Sequence, residues 1–140
     1  MLLSPKNRKF KKECKFKKGK IRDITYKGAF LDKGSYGLKA MSSGRITSAQ
    51  LEAVRVSIKR ALKKDGKIFI RIFPHKPITK KPAEVRMGGG KGSVDHWVSI
   101  IQPGRILFEI EGVTEEIAKS AFEAADFKLQ IKTKFVRRII

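Results

Sequence analysis

Cysteine occurs once in these 140 residues, at Cys14, so no disulfide can form within the chain. A reducing compartment is the expected setting. Histidine occurs only at His75 and His96; one thiol and two distant imidazoles give no zinc-ligand spacing, and neither metal nor cofactor is expected. No apolar run approaches the roughly 20 residues that a membrane helix needs. The start, MLLSPKNRKF, has only Leu2 and Leu3 as an apolar run, so a secretory signal is not expected. Acidic residues are scarce: thirteen Asp and Glu face thirty-three Lys and Arg, leaving a net charge of +20. Such a surplus repels itself in the folded state and is expected to serve a polyanionic partner. An anionic membrane would call for a basic amphipathic helix with a broad aromatic or Leu face. Nucleic acid is the favoured reading.

What is present is enough for a globule. With 41% hydrophobic residues, a chain of this length buries roughly two-thirds of its unfolded surface. Residues 1–22 read as a basic arm in which Lys6, Arg8, Lys9, Lys11, Lys12, Lys15, Lys17, Lys18, Lys20 and Arg22 face a single acid, Glu13. Phe10 and Phe16 are too few for a core, so the arm is expected to be mobile in free solution. Cations interleaved with aromatics suit a segment that orders on phosphates and stacks on bases; the alternative is a solubilising tail. Residues 23–140 read as a single domain.

Within it, ITYKGAFLDKGSYGLKA (24–40) predicts short strands broken by glycines. Thr47 and Gln50 have capping-box spacing ahead of Leu51, Val54, Ile58 and Leu62, one face of a helix. Arg55, Lys59 and Lys63 recur on another face, with Arg60 and Lys64 nearby, and are expected to form a phosphate-facing stripe. Asp65-Gly66 ends that helix. KIFIRIF (67–73) is apolar on both faces and is expected to be a central strand. VDHWVSII and RILFEIE read as two strands joined at the Gln102-Pro103-Gly104 turn. A second helix starts at Thr114, with Ile117, Ala121, Phe122 and Ala125 as its buried side, and LQIKTKFV closes the chain's pattern with an alternating strand. The sum is a two-layer α+β fold: an antiparallel or mixed sheet, two helices and one long excursion over 74–93.

That excursion leads into VRMGGGKGSVDHW (85–97), which poses the chemical question. As a P-loop it fails, because Val85 stands where glycine is needed and Gly92 where Ser or Thr is needed. As a dinucleotide fingerprint it fails at Ser93, and a strand follows instead of a helix. Asp95 and His96, as strand neighbours, are expected to point to opposite faces and not to pair. Glu109 and Glu111 are expected to be ion-pair partners for cations. No catalytic set emerges, so an enzyme is not expected. A cationic tongue remains, with Lys80, Lys81, Arg86 and Lys91 supplying charge. Gly88, Gly89, Gly90 and Gly92 let its backbone approach a sugar-phosphate chain closely.

Arg86-Met87-Gly88-x-Gly90-Lys91-Gly92 followed by Trp97 resembles the signature of the bacterial-type large-subunit ribosomal protein sixteen family. PKNRKFKK, YGLKA, GRITSAQLEAVR, GKIFIRIFPHKPITKKP and WVSIIQPGRILFEIEGV agree in order along nearly the whole chain. The resemblance implies an α+β fold and a structural, non-catalytic place on the large ribosomal subunit. Its partners would be large-subunit rRNA, A-site tRNA and neighbouring ribosomal proteins, with no membrane and no small-molecule substrate. The implied rRNA-binding set is the arm cations with Arg45, Arg55, Lys59, Arg60 and Lys63. The implied tongue, Lys80, Lys81 and Arg86 to Gly92 with Met87, would reach toward the peptidyl-transferase centre. Gly89 stands where many relatives carry lysine. The ribosome would be bacterial and cytoplasmic, or that of an organelle. A free RNA chaperone is the alternative that charge alone leaves open.

Overall fold

The computed structural model describes residues 4–14, 23–63 and 65–138. Its elements are β1 (Tyr36–Ala40), β2 (Gly44–Thr47), α1 (Ser48–Leu62), β3 (Lys67–Ile70), β4 (Lys76–Lys80), β5 (Ser93–Ile101), β6 (Ile106–Glu111), α2 (Glu115–Asp126) and β7 (Thr133–Arg137). The fold is α+β, and its strands divide between two antiparallel sheets, ordered β3-β6-β1-β7 and β2-β5-β4.

Helix α1 begins as its sequence dictates. The Thr47 hydroxyl accepts from Gln50 N–H at 3.2 Å, and the Gln50 side chain accepts from Thr47 N–H at 3.0 Å, so two otherwise unpaired amides are satisfied. Leu51, Val54, Ile58 and Leu62 are all buried. They meet Ala121, Phe122 and Ala125 of α2 and residues from both sheets in one core. The predicted buried side of α2 needs one correction: Ile117 is exposed and Ala118 is buried in its place. The helix thus presents small alanines to α1, which lets the two pack closely.

KIFIRIF is not central. β3 is an edge strand, and β6 and β1 are the inner ones. Both of its faces are apolar because both are covered without a second neighbouring strand. Ile68 and Ile70 pack against the core, and Lys33 lies 5.7 Å from the Phe69 ring centroid. Of the two inner strands β6 is the more deeply buried, with all five residues from Ile106 to Ile110 buried.

Strands β5 and β6 follow one another through the expected turn but do not pair. Gly104, at φ +94°, turns the chain out of the three-stranded sheet into the four-stranded one. Its amide donates to Ala40 O at 2.7 Å, and Pro103 O accepts from Thr25 N–H at 3.0 Å. Within 24–35, which forms no strand, the Thr25 amide is taken by this turn and those of Asp32, Lys33 and Gly34 by Glu109.

Part of the long excursion is regular structure. Residues 76–80 are strand β4, paired with β5, so a hairpin carries the tongue at 81–92. Pro77 is tolerated because β4 is an edge strand.

Candidate nucleic-acid interface

The tongue's backbone is built for exposure. Gly88, Gly89 and Gly90 take φ values of +98°, +69° and +90°, a run that side-chain-bearing residues avoid, and a Cβ on any of them would meet nothing within 4 Å. Arg86, Met87 and Lys91 are exposed beside them, and Lys80 is exposed at the foot. Lys81 donates to Gly88 O and ties the tip back to its stem. Gly92 is needed for a different reason: a Cβ there would stand 2.6 Å from Lys80 O.

The described part of the arm lies along this hairpin. The Arg8 guanidinium sits 5.4 Å from the Trp97 ring centroid and donates to His75 O at 2.5 Å. Glu13, the arm's one acid, pairs with both Arg8 and Lys76, and its backbone oxygen accepts from Lys91. Lys12 in turn donates to Lys91 O at 3.0 Å. Sequence reasoning counted Glu13 only as a lone acid; that isolation among cations was the signal for its role as the arm's anchor. Lys6, Arg8, Lys9 and Lys11 line a cleft of about 700 Å³ against Trp97 and Asp95. Arm and tongue are therefore one cationic surface. Lys15, Lys17, Lys18, Lys20, Arg22 and Phe16 lie outside the described residues, as does Lys64.

The helical stripe is partly as read. Arg55, Lys59 and Lys63 line one groove of about 400 Å³ beside β3. Arg60 does not join them; it lines a separate groove with Phe127 and Lys128. Arg55 is also engaged, with Glu52 accepting at 3.0 and 2.5 Å. That hydrogen-bonded pairing holds the Glu52 carboxyl below its ordinary range and raises the Arg55 guanidinium. Arg45 projects from β2, exposed, and lines neither groove. If the stripe faces phosphates, Glu52→Gln should release Arg55 and steepen the dependence of RNA affinity on salt, by up to about 0.9 in log–log slope. An unchanged slope in a salt titration would mean that the stripe faces water.

Asp95 and His96 do pair, contrary to the alternation argument: His96 Nδ1 lies 2.8 Å from Asp95 Oδ2. The pairing register jumps from Ile78↔His96 to Thr79↔Val94, so Asp95 is the extra residue of a bulge and loses the regular side-chain direction. Both side chains are exposed. Glu109, expected to meet cations, is fully buried; it pairs with Arg71 at 2.5 Å and accepts from the amides of Asp32, Lys33 and Gly34. Its role is structural. Among the described residues no cluster of three or more His, Cys, Asp or Glu could hold a metal ion.

Acids gather elsewhere. Glu115, Glu116, Glu123 and Asp126 fall on α2 against Lys119 alone.

Comparison with known proteins gives one family. The family described as Ribosomal protein L16p/L10e matches over residues 5–136. The large ribosomal subunit protein uL16 of Buchnera aphidicola subsp. Baizongia pistaciae is 53% identical over 139 residues, covering 99% of each chain. Its counterpart in Leptospira biflexa serovar Patoc is 51% identical over 137 residues, with 98% of each chain covered. The uL16 of Rhodospirillum rubrum is 51% identical over 138 residues, covering 99% of this chain and 98% of its own.

Proposed function

The chain belongs to the ribosomal protein L16p/L10e family, and from that premise we propose that it braces the A-site region of a bacterial large ribosomal subunit. It is a structural protein of that subunit, and it contributes binding and not bond-making. Its arm (residues 1–22) and the α1 cations neutralise large-subunit rRNA, while residues 23–140 form the body that carries the 74–93 excursion. The tongue, Lys80, Lys81 and Arg86 to Gly92, reaches the tRNA in the A site. Neighbouring ribosomal proteins complete its surroundings.

One observation carries this reading: the arm is anchored by Glu13 and Arg8 along the hairpin that bears the glycine tongue. Arm cations are thereby held along the hairpin that ends in the tongue. A polyanion approaching arm and tongue meets Lys6, Lys9, Lys11, Arg86 and Lys91, all exposed. Three successive left-handed glycines add amides that no Cβ obstructs.

The test separates tongue from body. Lys91→Ala and Arg86→Ala should each weaken A-site tRNA binding to assembled subunits by about tenfold, the scale of one charged hydrogen bond. Subunit assembly, followed by sedimentation, should change far less. Unaltered A-site occupancy in both variants would remove the tongue from tRNA.

A further inference from the structure

Another recess lies where the two sheets meet, at the crossing from β3 to β4. It measures about 450 Å³ and is lined by Ile70, Arg71, Ile72, Phe73, His75, Ser99 and Arg105, within the range of about 300–1,000 Å³ typical of small-ligand sites. Its walls are firm. Pro74 is fully buried, Ile72 is 4% exposed, and Arg8 holds the His75 carbonyl.

Three side chains in this recess carry recognisable chemistry. Phe73 is 41% exposed, an aromatic ring at the open side of the recess. His75 Nδ1 lies 3.1 Å from Phe73 O. A carbonyl only accepts, so Nδ1 carries the proton and Nε2 of the neutral ring is an acceptor. The two arginines differ. Arg71 is committed to Glu109 and Asp32, whereas Arg105 has no carboxylate within ion-pairing range among the described residues. Its backbone is nonetheless fixed, with its carbonyl accepting from Ala40 N–H at 2.8 Å.

An open aromatic face, a fixed acceptor and an uncompensated guanidinium match the three parts of one nucleotide: base, polar edge or 2′-hydroxyl, and phosphate. We propose that this recess binds a single unstacked nucleotide of an RNA strand, its base on Phe73, its phosphate on Arg105, and a base N–H or 2′-hydroxyl donating to His75. A paired helix does not qualify, because it keeps its base faces covered and offers only backbone. The site rests on the RNA-binding reading above and extends it: His75 joins this recess to the arm through Arg8, so a strand following the arm's cations arrives here.

The test uses the full chain and two RNAs with equal numbers of phosphates, a short single strand and a fully paired hairpin. Phe73→Ala should weaken single-strand binding by about tenfold, the effect of one lost base–aromatic stack. Hairpin binding should change less than about twofold, since its phosphate contacts are intact. Phe73→Tyr keeps the ring and should bind both RNAs as the parent does; melting curves for each variant verify folding. Equal losses on both RNAs, or no loss on either, would overturn the nucleotide site while leaving RNA binding by the parent chain intact. A parent chain that binds neither RNA would overturn the broader reading as well.

Discussion

Replacing Glu109 with leucine should lower the melting temperature by roughly 10–20 °C, more than any other single change discussed above. The carboxylate is fully buried on the inner strand β6 and accepts from Gly34 N–H at 2.8 Å and Lys33 N–H at 2.9 Å, with Asp32 N–H at 3.3 Å. Arg71 closes the set at 2.5 Å. Leucine fills the volume but leaves these donors facing apolar carbon. Removing one partner of a buried pair costs about 3–5 kcal/mol, and each kcal/mol moves the melting point of a domain this size by a few degrees.

The contact has a second consequence: a Cβ on Gly34 would stand 2.8 Å from both the Glu109 Cβ and Ile110 O. Glycine is there because β6 and the segment before β1 run this close, and Glu109 is what draws them together. Arg71→Leu paired with Glu109→Leu should therefore cost less than the sum of the two single changes. Additive losses would show that the carboxylate and the guanidinium act separately, and a melting curve unmoved by Glu109→Leu would show that water satisfies the amides.

Local signals carried most of the helices. The Thr47/Gln50 box and the Leu51-Val54-Ile58-Leu62 spacing are contained within one turn or one face, so nothing distant had to be known. Apart from Ile117 on α2, the misreadings concern relations between segments. KIFIRIF looked central because periodicity reports how many faces are apolar, not whether a strand or a lysine-bearing loop covers them. The Pro103-Gly104 turn between β5 and β6 was legible, but a turn signal does not say that the chain changes sheet there. The Asp95–His96 pair needed a bulge, and a bulge is set by the partner strand. At the interface, residue types were legible and groupings were not. Arg86, Lys91 and the glycines stand out in sequence, yet only the folded chain brings Glu13 to Lys76, 63 residues away, or parts Arg60 from Lys59 and Lys63. Phe73, His75 and Arg105 escaped notice because they belong to different sheets' ends and share no motif.

Deleting residues 1–22 should abolish most incorporation into large subunits. The arm holds ten of the thirty-three cations and one carboxylate, close to half of the net +20. Proteins making 6–10 phosphate contacts lose about 10³–10⁵ in affinity over a modest rise in salt, so removing even part of such a set should weaken rRNA binding by orders of magnitude. Deletion, however, also removes Glu13 and Arg8, which seat the arm against Lys76, Trp97 and the His75 carbonyl. Charge and positioning are separated by a milder variant in which Lys6, Lys9 and Lys11 become glutamine. These three are exposed and line the arm's cleft, and their loss leaves the Glu13 anchor in place. If the arm works through phosphates, the triple variant should flatten the salt dependence by about two to three in log–log slope and slow incorporation in proportion. If it works by seating the tongue, Glu13→Gln should do more harm than the triple change although it raises the net charge. Normal incorporation of the truncated chain would make the arm a solubilising tail, and its contacts with the hairpin would then be incidental to assembly.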